Sequence, residues 1–166
     1  MLATIWATPL IVDDKVYVGD EDGEVGVFQL GADPKHAEPL ALISHLTAIH
    51  SSPIFADGTL YVANNDSLTA IDAAESRRWS EDSSNWPQWR GPQRDNRSTD
   101  KRLLSAWPKE GPPLAWRVDG LGDGIASLAL VDGRIFTTTT YGNSEFAVAL
   151  DEGTGERLWA TRVGSA

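Results

Sequence analysis

Pro9-Leu10-Ile11-Val12-Asp13-Asp14-Lys15-Val16-Tyr17-Val18-Gly19 is echoed twice further along the chain. The echoes are Pro53-Ile54-Phe55-Ala56-Asp57-Gly58-Thr59-Leu60-Tyr61-Val62-Ala63 and Leu128-Ala129-Leu130-Val131-Asp132-Gly133-Arg134-Ile135-Phe136-Thr137-Thr138. Each copy is an apolar run, an Asp-Asp or Asp-Gly pair, and a second apolar run with an aromatic residue at a fixed place. Asp and Gly tolerate the positive φ that a two-residue hairpin needs, so each copy predicts a pair of antiparallel strands. Short strands recurring with a period of about 40 residues point to a β-propeller, in which four-stranded sheets are arranged like blades around a channel.

The strands beyond each hairpin follow from the same period. The first copy predicts strands at Thr8–Val12, Lys15–Gly19, Val25–Leu30 and Pro39–Ser44, and Asp20-Glu21-Asp22-Gly23 turns between the second and third. The second predicts Ser52–Ala56, Thr59–Ala63 and Leu68–Asp72, turned by Asn64-Asn65-Asp66. The third predicts Ala126–Val131, Arg134–Thr139, Phe146–Leu150 and Arg157–Arg162. Tyr17 and Tyr61 are 44 residues apart, whereas Phe136 follows Tyr61 by 75. The surplus falls at 73–112, so Leu114–Val118 is expected to be the delayed outer strand of the second blade. The predicted fold is therefore all-β, a partial β-propeller of about three four-stranded antiparallel blades. Blade 1 covers about 7–45, blade 2 about 51–72 plus 113–118, and blade 3 about 125–163. The stretch 73–112 holds four of the nine prolines and reads as an irregular insertion.

Composition narrows the function classes. The 166 residues carry a net charge of −10, acidic at both ends of the chain and slightly basic only across 81–117. Phosphate binding needs clustered Lys and Arg, so nucleic acid is not an expected partner. No apolar run approaches the length of a membrane span. The start has no basic region and reaches Asp13-Asp14 too early for a signal peptide, which predicts a cytosolic protein or a chain that begins inside a longer exported one. Absence of cysteine removes disulfides and thiolate metal sites.

Ala149-Leu150-Asp151-Glu152-Gly153-Thr154-Gly155-Glu156-Arg157-Leu158-Trp159 resembles the tryptophan-docking motif of the pyrroloquinoline quinone (PQQ)-type propeller repeat, Ala-x-Asp-x-x-Thr-Gly-x-x-x-Trp. The resemblance implies structural roles for Ala149, Asp151, Thr154, Gly155 and Trp159. Thr154-Gly155 would turn the chain between third and outer strands, and Trp159 would pack on a neighbouring blade. Burying one tryptophan removes ~150–250 Å² from water, roughly 4–6 kcal/mol before entropy. Ala70-Ile71-Asp72 through Arg78-Trp79 is a shortened copy without Thr-Gly, and Val27-Phe28-Gln29-Leu30 lacks both Asp and Trp. A second stretch, Asn85-Trp86-Pro87-Gln88-Trp89-Arg90-Gly91-Pro92-Gln93-Arg94-Asp95-Asn96, resembles the opening of secreted bacterial PQQ-like repeat proteins. In those relatives the first strand closes the ring on the last blade. Leu114–Val118 would be that strand, which makes the chain resemble a permuted segment or a junction between tandem propellers, of periplasmic or exported character.

Chemistry-bearing residues are few. The quinoprotein alcohol dehydrogenases of this superfamily hold PQQ with a vicinal disulfide, a tryptophan floor and Ca²⁺, and the first of these is impossible here. Neither catalytic, cofactor-binding nor metal-ligating residues are assigned. Trp79, Trp116 and Trp159 fall at outer-strand or docking positions. Asp20-x-Asp22-Gly23-Glu24 lacks the full spacing of a calcium loop and reads as a hairpin turn. His45 and His50 lack a third ligand. Trp86, Trp89 and Arg90 form either a stacking surface for a peptide or sugar or a plug across the blade edges. The expected function is a non-catalytic scaffold that binds protein, similar to the lipoprotein scaffold of the outer-membrane β-barrel assembly machinery. The alternative is a piece of a PQQ-dependent dehydrogenase whose active site lies on other blades, with PQQ and Ca²⁺ as cofactors. Three blades cannot close a ring, so the isolated chain is expected to expose its end faces and self-associate.

Overall fold

Among the described residues of the computed structural model (2–33, 38–44, 47–73, 85–100, 104, 108, 113–124 and 126–166), every regular element is a strand. The first sheet is built from β1 (Leu10–Val12), β2 (Lys15–Gly19), β3 (Glu24–Gln29) and β4 (Ala41–Ser44). The second contains β5 (Ile54–Ala56), β6 (Thr59–Ala63) and β7 (Leu68–Asp72). After β8 (Arg97–Ser98), β9 (Leu114–Val118) completes that second sheet, in the order β5-β6-β7-β9. The third holds β10 (Ala129–Val131), β11 (Arg134–Tyr141), β12 (Ser144–Asp151) and β13 (Arg157–Ser165) in simple meander order. The fold is thus a three-bladed portion of a β-propeller, and the strand returning after the insertion closes the second blade as the repeat predicts. β11 ends two residues and β13 three residues later than expected, and β12 begins two residues earlier and ends one later, because the tight Gly142-Asn143 turn lets the hairpin continue pairing to Tyr141↔Ser144.

Local chemistry explains the regularity. Asp13, Asp57 and Asp132 occupy matching hairpin positions with φ of 51°, 49° and 49°. Behind each hairpin runs the same cross-strand row. Tyr17 pairs with Val27 and Val27 with Ala41; Tyr61 with Ala70 and Ala70 with Trp116; Phe136 with Ala149 and Ala149 with Trp159. The residue after each third strand also bonds back to the first hairpin: Leu30 N–H to Asp14 O, Ala73 N–H to Gly58 O, and Glu152 N–H to Gly133 O. Leu30, Ala73 and Glu152 are therefore structural equivalents.

The core lies between the sheets. Strands β5, β6 and β7 are buried almost throughout because the second sheet is packed on both faces. Strand β13, the outer strand of the last sheet, is exposed along nearly its whole length.

The insertion's described part, 85–100, is irregular apart from β8, and it ties back to the sheets. β8 pairs in parallel with β1 and makes the first sheet five-stranded, and Ile11 N–H donates to Asn96 O at 2.8 Å. Trp86 exchanges two backbone hydrogen bonds, both 2.8 Å, with Leu130 of β10. Asp100 Oδ2 accepts from Gly58 N–H, between β5 and β6, at 2.8 Å. One segment therefore satisfies backbone groups at the innermost strand or hairpin of all three sheets, groups that a short edge strand would otherwise leave to water. Of the expected shortened motif, Ala70–Asp72 lies in β7, and 74–79, with Trp79, lies outside the described residues.

Candidate functional site

The connection between β12 and β13 is held by its own side chains. Asp151 Oδ1 accepts from Thr154 N–H at 3.0 Å and Thr154 Oγ1–H at 2.9 Å, and Thr154 Oγ1 accepts from Glu156 N–H at 3.2 Å. Gly155 takes φ of 74°, and a Cβ built there would lie 2.5 Å from the ring of Trp116. Trp116, on the second sheet, donates through Nε1 to Glu152 O at 2.8 Å. Its ring lies 6.0 Å from Tyr61, whose hydroxyl donates to Glu152 Oε1 at 3.0 Å. Tyr61 and Glu152 are both buried, and burial, with the carboxylate alongside, pushes the phenol well above its ordinary pKa. The turn of the third blade thus receives a tryptophan from the second.

Trp159 repeats half of this joint. Its ring stands 6.1 Å from Phe136 at 48°, against 6.0 Å and 49° for Trp116 and Tyr61. Ala149 separates the two residues in the row, but the Trp159 ring remains 43 % exposed on the face turned from the second sheet. Glu152, which sequence reasoning passed over, is what links Tyr61 and Trp116. Its position inside the motif was the available signal.

The three residues read together in the insertion are separated by the structure. Trp86 is 2 % exposed, and Gly91, at φ 80°, lies close under its ring. Asn85 clasps Asp132 in the β10–β11 hairpin, with Asp132 N–H donating to Asn85 Oδ1 at 3.0 Å. Trp89 is 57 % exposed, and the Arg90 guanidinium sits 5.4 Å from its ring centroid in a cation–π contact. Trp86 belongs to the inner edge of the sheets and Trp89 to the outside, with Arg90 half-buried beside it.

At the opposite end of the sheets is a cavity of about 720 Å³, lined among others by His50, Asn65, Asp123, Thr138, Thr140 and Glu145. His50 Nδ1 is 3.0 Å from Asn65 Oδ1. Asp123 bridges Thr140 across one edge of β11, and Thr140 pairs with Glu145 across the other, so two carboxylates flank one hydroxyl on one face. Among the described lining residues there is neither Lys nor Arg. Cross-strand register assembles this group, so nothing in the linear sequence marks it.

The remaining candidates sit apart. Asp20 is fully buried, and its carboxylate accepts from the N–H groups of Ala3, Asp22 and Glu24 at 2.9–3.1 Å, the work of a hairpin turn. No group of three or more His, Asp or Glu among the described residues could hold a metal ion, and His45 lies outside them. No described helix is long and apolar enough to cross a membrane.

No protein-family model matches the chain, and no curated protein matches it. Solved structures do. A europium-containing methanol dehydrogenase superimposes with a TM-score of 0.60 at 12 % identity, covering 96 % of this chain and 25 % of its own. The quinohemoprotein alcohol dehydrogenase from Comamonas testosteroni gives 0.59 at 15 %, covering 97 % and 21 %. The computationally designed Ika4 protein gives 0.58 at 13 %, covering 96 % and 72 %. The chain thus spans a quarter or less of the two dehydrogenases. At these identities the likeness is one of fold: the chain resembles an arc of the β-propeller on which quinoprotein alcohol dehydrogenases are built.

Proposed function

We propose that this chain is a non-catalytic PQQ-like propeller segment that serves as a protein-binding or assembly scaffold. The carrying observation is the chemistry of the cavity. PQQ is a tricarboxylate and calls for cationic or strongly donating partners, whereas the described lining offers the carboxylates of Asp123 and Glu145 and no Lys or Arg. Those residues do not fit the cofactor. Two of the tryptophans support the same reading: Trp86 is buried over Gly91, and Trp116 is held against Gly155 and bonded to Glu152 O. Exposed apolar side chains on the outer sheets supply the surface that a protein partner uses.

Titrating the purified chain with PQQ and Ca²⁺ tests this. Unchanged absorbance and an unchanged melting temperature are expected; binding at micromolar PQQ would overturn the reading. One observation favours the alternative of a dehydrogenase fragment, namely that the chain spans only 25 % and 21 % of the two enzymes it superimposes on. Under it, the cofactor site belongs to sheets encoded beside this segment. A vicinal cysteine pair and a catalytic aspartate in the flanking reading frame would establish it.

A further inference from the structure

We propose that the turns from Gln88 to Arg94 dock an extended acidic segment of a partner protein, with its carboxylates on Arg90 and Arg94 and an apolar side chain on Trp89. This names a partner surface for the scaffold reading and rests on that reading. The surface is a cationic spot on an acidic molecule: against a net charge of −10, Arg90, Arg94 and Arg97 stand within one short segment. The ion pairs among the described residues, Lys15–Asp14 and Arg117–Asp119, involve none of these three, although carboxylates outnumber cations in the chain. Arg90 Nε is buried without a hydrogen-bond partner, so the fold makes no use of that donor. What the Arg90 guanidinium does touch is the Trp89 ring, 5.4 Å from its centroid.

The backbone shows that these side chains are not there for the turn itself. Gly91 N–H donates to Gln88 O at 3.0 Å and Arg94 N–H to Gly91 O at 3.1 Å, which winds the segment into two successive turns. Arg94 Nε donates to Gln88 Oε1 at 3.1 Å, which holds that guanidinium beside the residue before Trp89. Arg90 and Arg94 take φ of 67° and 58°, a region that costs any residue but glycine or asparagine. Asn96, at φ 60°, is the type such a position favours, and its amide donates to Thr8 O and Pro9 O ahead of β1. The two arginines thus stand where the turn alone would select another residue, an outlier that points to a role outside the fold. Trp89, 57 % exposed, sits three residues from the Trp86 that anchors the segment to Leu130. A ring held in place beside two forked cations matches a chain that alternates carboxylates with flat apolar side chains. Nucleic acid matches less well, because the rest of this acidic molecule repels its dense phosphate charge.

Fluorescence anisotropy with a labelled decapeptide of alternating glutamate and proline tests the proposal. The controls are the same peptide with glutamine for glutamate and a single-stranded DNA decamer. Saturable binding of the glutamate peptide is expected, about tenfold or more tighter than either control. Trp89→Ala and Arg90→Asn should each weaken it by about tenfold, with circular dichroism unchanged. Asparagine suits the left-handed backbone, so Arg90→Asn should hold or raise the melting temperature while binding falls, a split that a purely structural arginine would not give. Four results would overturn the proposal: no saturation at millimolar peptide, equal binding of the glutamine peptide, equal or tighter binding of the DNA, or unchanged affinity in either variant. Such a failure would remove this surface alone, because the PQQ titration decides the scaffold reading separately.

Discussion

Tyr61 and Glu152 form the most informative pair of side chains in the molecule. Both are buried, at 1 % and 3 % exposure, and they come from different sheets. Phe136 fills the equivalent place in the third sheet, so the ring alone suffices for packing, and the hydroxyl serves the partner across the joint. Tyr61→Phe should lower stability at neutral pH by about 1.5–3 kcal/mol, the worth of a hydrogen bond to a charged acceptor. The folded state holds the phenolic proton more tightly than the unfolded chain does, whose tyrosine ionises near pH 10. The contribution is therefore complete below about pH 10 and is lost as pH rises above it. Urea denaturation of both proteins from pH 7 to 11 should show their difference narrowing at the alkaline end; a constant difference would refute the assignment. Gly155 supplies a second test at this scale. An added methyl meets both a positive φ and the Trp116 ring at 2.5 Å, so Gly155→Ala should cost about 2–4 kcal/mol. Gly31→Ala in the monomer should cost only the backbone part, about 1–2 kcal/mol, and equal midpoints for the two would show that the docked indole exerts no steric demand.

Among the elements, the segment around β8 is the one whose role depends on distant partners. Removing the Trp86 ring opens a hole over Gly91 and should cost about 3–5 kcal/mol, whereas Trp89→Ala, at an exposed ring, should stay within about 1 kcal/mol. Trypsin offers a second reading, because Arg90, Arg94 and Arg97 all lie in this segment. Trp86→Ala should expose them to rapid cleavage and Trp89→Ala should not; equal susceptibility would mean that the segment is not anchored through Trp86. The same contrast shows what was legible beforehand. The hairpins were readable because Asp-Gly turns and apolar runs are local signals, and the delayed outer strand because the repeat left a vacancy at Leu114–Val118. β8 was not, since two residues pairing in parallel with a remote edge leave no periodic trace. Nor could sequence alone say which of two tryptophans three residues apart turns inward. Asp123, Thr140 and Glu145 become neighbours only through strand register, and no spacing along the chain announces them.

For the whole molecule, an uneven balance of charge and apolar surface sets how it meets other proteins. A net charge of −10 makes any two copies repel at long range, while exposed apolar side chains such as Trp159 and Leu42 attract only at contact. These terms respond oppositely to salt. Screening shortens from about 30 Å at 0.01 M to about 3 Å at 1 M ionic strength, which removes the repulsion and leaves apolar burial intact. Association of the copies should therefore tighten several-fold as sodium chloride is raised across that range, and sedimentation at fixed chain concentration would show the associated fraction rising. A contact carried by ion pairs would do the reverse, because its attraction is the part that salt screens. Dissociation on adding salt would thus make ionic contacts, not apolar burial, the basis of self-association.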